Sequence, residues 1–537
     1  MNRISNVALL ALLLAGCQTA PPAPWVADLG DGRYQNPVLH ADYSDPDAVR
    51  VGDTYYMTAS SFNAVPGLPL LASKDLVNWE LVGHALPRLV PQERYAGVRH
   101  GEGVWAPCLR YHDGKFWIFY PDPDLGIFVT TATDFKGPWS APRLLLPGKG
   151  IIDPTPLWDE DGKAWLLHAW ARSRAGINNR LTLRAMAPDA SRLLDTEGRT
   201  LIDGDRLPGY RTLEGPKFYK ADGYYYVFAP AGGVEHGWQA VFRARSIDGP
   251  YEVRTVMDQG ATPVNGPHQG AWVRAADGQD WFLHFQDKGA YGRVVHLQPM
   301  RWADGWPLIG APGPRAGTGQ PVAAWPKPVP GMPRRLPATS DEFDGTRLGL
   351  QWQWNANPQP GTALLTARPG FLRLPGQPWP ADEPVRAAPA ILAQKLPAPA
   401  FTLDTRIELA NPAEGDRAGL ILNGLRYAWL GLRRKGGVTE LVYITCTTPT
   451  GRCGEQAQVL LADPPSPLYL RMNMAEGAIA RFSWSADNIR FTPAGEPFVA
   501  GKGRWVGAQI GLFSVGTKRD SAASNLDVDY FRVRAAD

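Results

Sequence analysis

Between residues 35 and 320 the apolar and polar positions keep no sustained helical period. What recurs is a small unit: an apolar strand, an Asp-Gly-type turn, then an aromatic strand. It reads AVRVGDTYYMTAS, LRYHDGKFWIFY, PLWDEDGKAWLLHAW, KFYKADGYYYVFAP and WVRAADGQDWFLHF. The turn aspartates are Asp53, Asp113, Asp161, Asp222 and Asp277, spaced 48 to 61 residues apart. Asp-Gly supplies the positive-φ residues of a tight hairpin; the first copy departs, with Gly52 ahead of its aspartate. Each interval has room for four short strands. Five such units predict a five-bladed β-propeller over residues 35–319. Unrelated hairpins in a sandwich would not be spaced so evenly.

The pattern then changes. Residues 320–340 hold six prolines and predict an extended linker. From 341 to 537, segments such as FTLDTRIEL, YAWLGLRR, LVYIT and VGAQIGLFS alternate with period two between turn signals, which predicts a β-sandwich. The chain is therefore all-β, with two domains in its 537 residues.

The N-terminus reads differently. Arg3 precedes an apolar run, Val7 to Leu14, too short to span a bilayer; residues 1–16 read as a signal peptide. LLAGC resembles a bacterial lipoprotein cleavage site, which implies cleavage before Cys17 and a lipid anchor there; the alternative is an ordinary secretory signal with an incidental cysteine. Gln18 points to the outer membrane, periplasmic or cell-surface face, and residues 17–34 read as a tether. Cys446 and Cys453 bracket a polar turn, which in an exported protein predicts a hairpin disulfide. Cys108 reads as a small buried residue.

Charge narrows the partners. Lys and Arg number 55 against 52 Asp and Glu, a net charge of +3, so no basic balance points to nucleic acid. The 20 Trp, 18 Tyr and 18 Phe suit core packing and also offer flat surfaces for sugars.

Counting back eight residues from each turn aspartate gives Asp45, Trp105, Asp153, Glu214 and Gln269, with His268 beside the last. Equal phase in each unit means an equivalent place in the fold. If the strand entering each turn is innermost, these residues gather at one mouth of the channel. Asp42 and Asp47, close to Asp45, read as turn or capping groups. Two carboxyls facing across a pocket suit glycoside hydrolysis, one as proton donor and one ionised; a third nearby raises the donor's proton affinity.

These motifs resemble glycoside hydrolase family 43. NPVLHADYSDPDAVRVGDTYYMTASSF, GVWAPCLRYHDGKFWIFY, IIDPTPLWDEDGKAWLLHAW, EGPKFYKADGYYYVF and GPHQGAW carry the resemblance over roughly residues 35–310. It implies an inverting, single-displacement mechanism with Asp45 as general base, Asp153 as modulator and orienter, and Glu214 as general acid. Phe62 and Trp105 match active-site aromatic positions, and Arg293 matches an arginine that contacts substrate or the modulator. His268 matches a channel histidine that in many relatives helps hold calcium through waters. No cofactor is implied for the chemistry itself. Cys108 departs from the polar residue expected after WAP. DEFDGTRLGLQWQW and LDVDYFRVR resemble a concanavalin-like C-terminal domain, which implies packing against the propeller and a loop that can close the site; a free carbohydrate-binding module is the alternative.

The function expected is an exo-acting glycosidase releasing terminal α-L-arabinofuranosyl or β-D-xylosyl units, or both, from hemicellulose-derived oligosaccharides. The competing expectation is a non-catalytic, glycan-binding envelope lipoprotein.

Overall fold

A computed structural model describes residues 23–380, 382–449, 453–516 and 524–536. The signal peptide and Cys17 fall in residues 1–22, outside the described residues. The described chain is all-β, with only short helical turns.

Five meanders of four consecutive antiparallel strands follow one another. They begin with Asp47–Val51, Cys108–His112, Ile151–Trp158, Lys217–Ala221 and His268–Arg274. The leading strand of the first unit lies against those of the second and of the last, and the third's lies against those of the second and fourth. Aromatic and β-branched residues fill the spaces between units, as in the stack of Phe228, Phe282 and Trp272.

The Asp-Gly turns divide into two kinds. Asp113–Gly114 and Asp222–Gly223 are two-residue hairpins with both φ angles positive, 48° and 70°, then 49° and 73°. At Asp161 and Asp277 the ladder runs one pair further, through Asp159 N–H to Lys163 C=O and Ala275 N–H to Gln279 C=O. Each of these closes in a three-residue turn ending on a positive-φ glycine, Gly162 or Gly278.

Two stretches depart from the expected tether and linker. Arg33–Gln35 pairs with Ala324–Pro326 in a two-stranded clasp. Asp28 accepts from Lys327 Nζ at 2.6 Å, and the buried Tyr34 hydroxyl donates to Leu297 C=O. Residues 25–34 and 320–327 are thus built into the first domain. The reason is aromatic burial plus a buried ion pair, which outweighs the loop-like composition.

From residue 340 onward a six-stranded and an eight-stranded sheet form the sandwich. Its core is continuous with the first domain: Leu68, Leu70, Tyr95 and Ile118 share one apolar cluster with Trp352, Trp354 and Leu392. Asn357 clamps the seam, accepting from Leu89 N–H and donating to Leu89 C=O. The second domain is packed against the first rather than free. Cys446 and Cys453 are disulfide-bonded.

Candidate active site

A cavity of about 260 Å³ opens where the five units converge. Its lining includes Asp45, Trp105, Asp153, Glu214 and Gln269, the five in-phase residues, together with Phe62 and Arg293. Local backbone explains how they reach it. Asp45, Phe62, Asp153 and Gln269 all have left-handed φ angles, 55°, 50°, 53° and 40°. Asp153 and Gln269 sit at breaks in strand register, between Ile152 and Thr155 and between His268 and Gly270. A bulge turns a side chain out of the alternating pleat, and non-glycine residues held at positive φ concentrate at functional sites.

Asp45 is held from several sides. Its Oδ2 accepts from Ser44 Oγ at 2.6 Å and Ser60 Oγ at 2.5 Å. Arg293 Nη1 lies 3.2 Å from Oδ1 and also donates to Ser44 Oγ at 2.8 Å. The carboxylate is 4% exposed and held by three donors, Ser44, Ser60 and Arg293, which fix its orientation.

Asp153 Oδ2 accepts from Gly215 N–H at 2.7 Å, beside Glu214. Burial raises the proton affinity of Asp153, and the charge of Glu214 raises it further; Asp45 adds to this, while the Gly215 bond and Lys217 oppose it.

Glu214 Oε1 faces His268 Nε2 at 3.1 Å. His268 is fully buried behind Glu214, outside the cavity wall, with its Nδ1 unpartnered. Gly237 lies against that nitrogen: a Cβ there would come within 3.0 Å of Nδ1.

Beneath the cavity is a charged scaffold. Asp47 accepts from Leu109 N–H and Arg110 Nη1 at 2.8 and 2.9 Å, with Lys217 Nζ at 3.5 Å. Thr155 Oγ1 takes Phe218 N–H, Arg110 Nη2 and the weak Sγ contact of Cys108. Asp47 is therefore an inter-unit clamp, and Cys108 is a buried packing residue whose thiol burial pushes up to about 12.

The aromatic wall has a member that the repeat did not flag. Trp505, from the sandwich, lines the cavity and meets the Trp105 ring at 6.0 Å and 67°. Phe62 lies 6.3 Å from Trp105, and the Arg174 guanidinium sits 5.3 Å from the Trp105 ring. Thr212, Gly233 and Val234 complete much of the rim. These residues lie on connecting loops without the unit's phase.

Three carboxyls and three aromatic rings converge in one cavity, at the common centre of repeated β-meanders. That arrangement defines a carbohydrate-active hydrolase. The chain belongs to glycosyl hydrolases family 43, whose profile matches residues 34–307. The beta xylosidase C-terminal concanavalin A-like domain matches residues 340–534. The chain is 38% identical over 489 residues to a protein of Xylanibacter ruminicola, covering 91% of this chain and 87% of that one. It is 34% identical to a beta-xylosidase of Formosa agariphila, covering 94% and 90%. It is 30% identical to a non-reducing end alpha-L-arabinofuranosidase of Bacteroides ovatus, covering 78% of each. The solved xylan beta-1,4-xylosidase of Bacillus halodurans superposes with a TM-score of 0.81 at 25% identity, covering 93% and 99%. The protein is a glycosidase.

Proposed function

We propose that the protein is an exo-acting, inverting glycosidase of a five-bladed propeller, releasing terminal α-L-arabinofuranosyl or β-D-xylosyl units, or both, from hemicellulose oligosaccharides. The observation that carries this is the fixed Asp45 carboxylate sharing one cavity with the Asp153–Glu214 pair. Asp45 takes a proton from water as that water attacks the anomeric carbon. Glu214 delivers a proton to the departing glycosidic oxygen, so water ends on the sugar and the leaving group departs neutral. Asp153 orients Glu214 and resists sharing its negative charge. Phe62, Trp105 and Trp505 give flat apolar contact to the sugar ring. Arg293 holds Asp45 and faces the substrate.

The propeller reading is supported by the side-by-side leading strands and by contact of the first with the last. Exo action is supported by Trp505, which narrows the cavity from the sandwich side. The names of the relatives support both pentosyl substrates. The lipid anchor at Cys17, with outer-membrane location, belongs to the same proposal and rests on LLAGC alone.

Calcium fits these residues poorly by direct ligation. A hard cation takes oxygen donors, and His268 offers only ring nitrogens, Nε2 facing Glu214 and Nδ1 without a hydrogen-bond partner, so it would hold calcium only through intervening waters. No step above runs through a metal.

The test is hydrolysis of aryl β-D-xylopyranoside and aryl α-L-arabinofuranoside by wild type and Asp45→Ala. Cleavage of either by wild type alone supports the reading, and the ratio of rates sets the specificity. Failure on a broad glycoside panel would leave the glycan-binding lipoprotein as the better account.

A further inference from the structure

Asp42 has a contact pattern that a turn or capping group does not need. It is buried, and its two oxygens serve different domains. Oδ1 accepts Arg293 N–H at 2.8 Å; Oδ2 accepts Gly507 N–H, from the sandwich, at 2.8 Å. The Arg293 guanidinium reaches Asp45, while Gly507 stands two residues beyond Trp505. One carboxylate thus fixes the backbone behind the arginine on the base and the backbone behind the tryptophan on the cavity rim.

The surroundings leave little slack. Gly292 has φ +75°, and a Cβ there would lie 2.3 Å from Asp42 Cγ. A Cβ on Gly507 would lie 2.6 Å from Gly292 N. Ala508 N–H donates to Ala290 C=O at 2.7 Å. The Tyr291 hydroxyl enters the sandwich, donating to Pro399 C=O and accepting from Ala478 N–H, both at 2.8 Å. Residues 290–293 are therefore gripped by the second domain immediately before Arg293. Burial raises the proton affinity of Asp42, and the Lys395 ammonium, also from the sandwich, opposes this together with the two N–H groups.

We infer that Asp42 is a positioning residue that couples the seating of the Trp505 loop to the placement of Arg293 on Asp45. The second domain is then part of the catalytic centre's framework as well as its lid. This rests on Asp45 being the base. Asp42 touches no reacting atom and acts through its two backbone partners.

The experiment is steady-state kinetics of the full-length chain on an aryl pentoside, with Asp42→Asn, Trp505→Ala and the double variant. Asn keeps the size but can accept only one of the two N–H groups. A misplacement of about 1 Å can cost roughly a hundredfold. Asp42→Asn is therefore expected to lower kcat by about 10- to 100-fold and raise KM. The double variant should lose clearly less than the product of the single losses, because the loop is already unseated. Wild-type kinetics in Asp42→Asn, or fully multiplicative losses, would overturn the coupling. If Asp42→Asn is recovered unfolded, Gly292→Ala decides instead. Its methyl pushes on the Asp42 carboxyl, and the same non-multiplicative loss with Trp505→Ala is expected. Asp45→Ala is run alongside: an active Asp45→Ala removes the base assignment, whereas an inactive one beside an unaffected Asp42→Asn removes only the coupling.

Discussion

At the residue scale the three aspartates of ADYSDPD do three different jobs. Asp45 faces the cavity, Asp47 clamps Arg110 and Lys217, and Asp42 joins the domains. If Glu214 is the acid, as proposed, its proton delivery matters less when the leaving group is already a good one. Glu214→Ala should therefore lose several orders of magnitude in kcat on an unactivated oligosaccharide and much less on a dinitrophenyl glycoside. Equal losses on both would exclude Glu214 as the acid. Asp153 gives a prediction about stability. It binds its proton more tightly in the fold than in the unfolded chain, mainly through burial and then through Glu214. The native state therefore holds the extra proton, and stability falls as pH rises from the ordinary carboxylate range towards the raised value. Asp153→Asn, which can still accept from Gly215 N–H, removes that loss. Thermal melts should place the variant above wild type at about pH 8, with the gap closing by about pH 4, while activity falls.

At the element scale the hairpin phase made the centre readable. Each unit offers one residue at the same step before its turn, so Asp45, Trp105, Asp153, Glu214 and Gln269 could be picked out by counting. The bulges that aim Asp153 and Gln269 into the cavity left no such mark, because a bulge depends on the partner strand as well. Trp505 and Thr212 were not legible either, since loops carry no period. The role of Asp42 depends on an N–H group 465 residues away. Phe62 and Trp105 are set by one small pairing: Phe62 N–H to Val104 C=O at 2.8 Å and Val104 N–H to Phe62 C=O at 3.0 Å. Gly103, at φ +87°, makes room for it, because a Cβ would stand 2.3 Å from Phe62 O. Gly103→Ala should cost about 1 kcal/mol or more in urea unfolding and raise KM by displacing Phe62. An unchanged midpoint and KM would show that the loop accommodates the methyl elsewhere.

At the scale of the whole molecule the two domains share one apolar cluster. The apolar cluster joining Leu68 and Tyr95 to Trp352 and Trp354 would be laid open in a chain ending at residue 340. That truncated chain should be recovered insoluble or unfolded, and calorimetry of the full chain should give one transition. Two separated transitions would mean that the seam contributes little. The period-two alternation made the second domain visible as a sandwich, whereas its packing against the first was expected only through the family resemblance, because the seam residues carry no period of their own. Residues that read as a proline-rich spacer turned out to carry Ala324–Pro326 and Lys327, whose partners lie near the other end of the domain.

The clasp between Arg33–Gln35 and Ala324–Pro326 bears on when the protein becomes competent. A ribosome releases the chain from its N-terminus, so the early segment must wait for its partner until nearly 300 residues more have emerged. Asp45 waits 248 residues for Arg293, and Asp42 waits 465 residues for Gly507. A chain stopped before residue 505 therefore carries Asp45, Asp153 and Glu214 without Trp505 on the cavity rim and without the Gly507 N–H that Asp42 accepts.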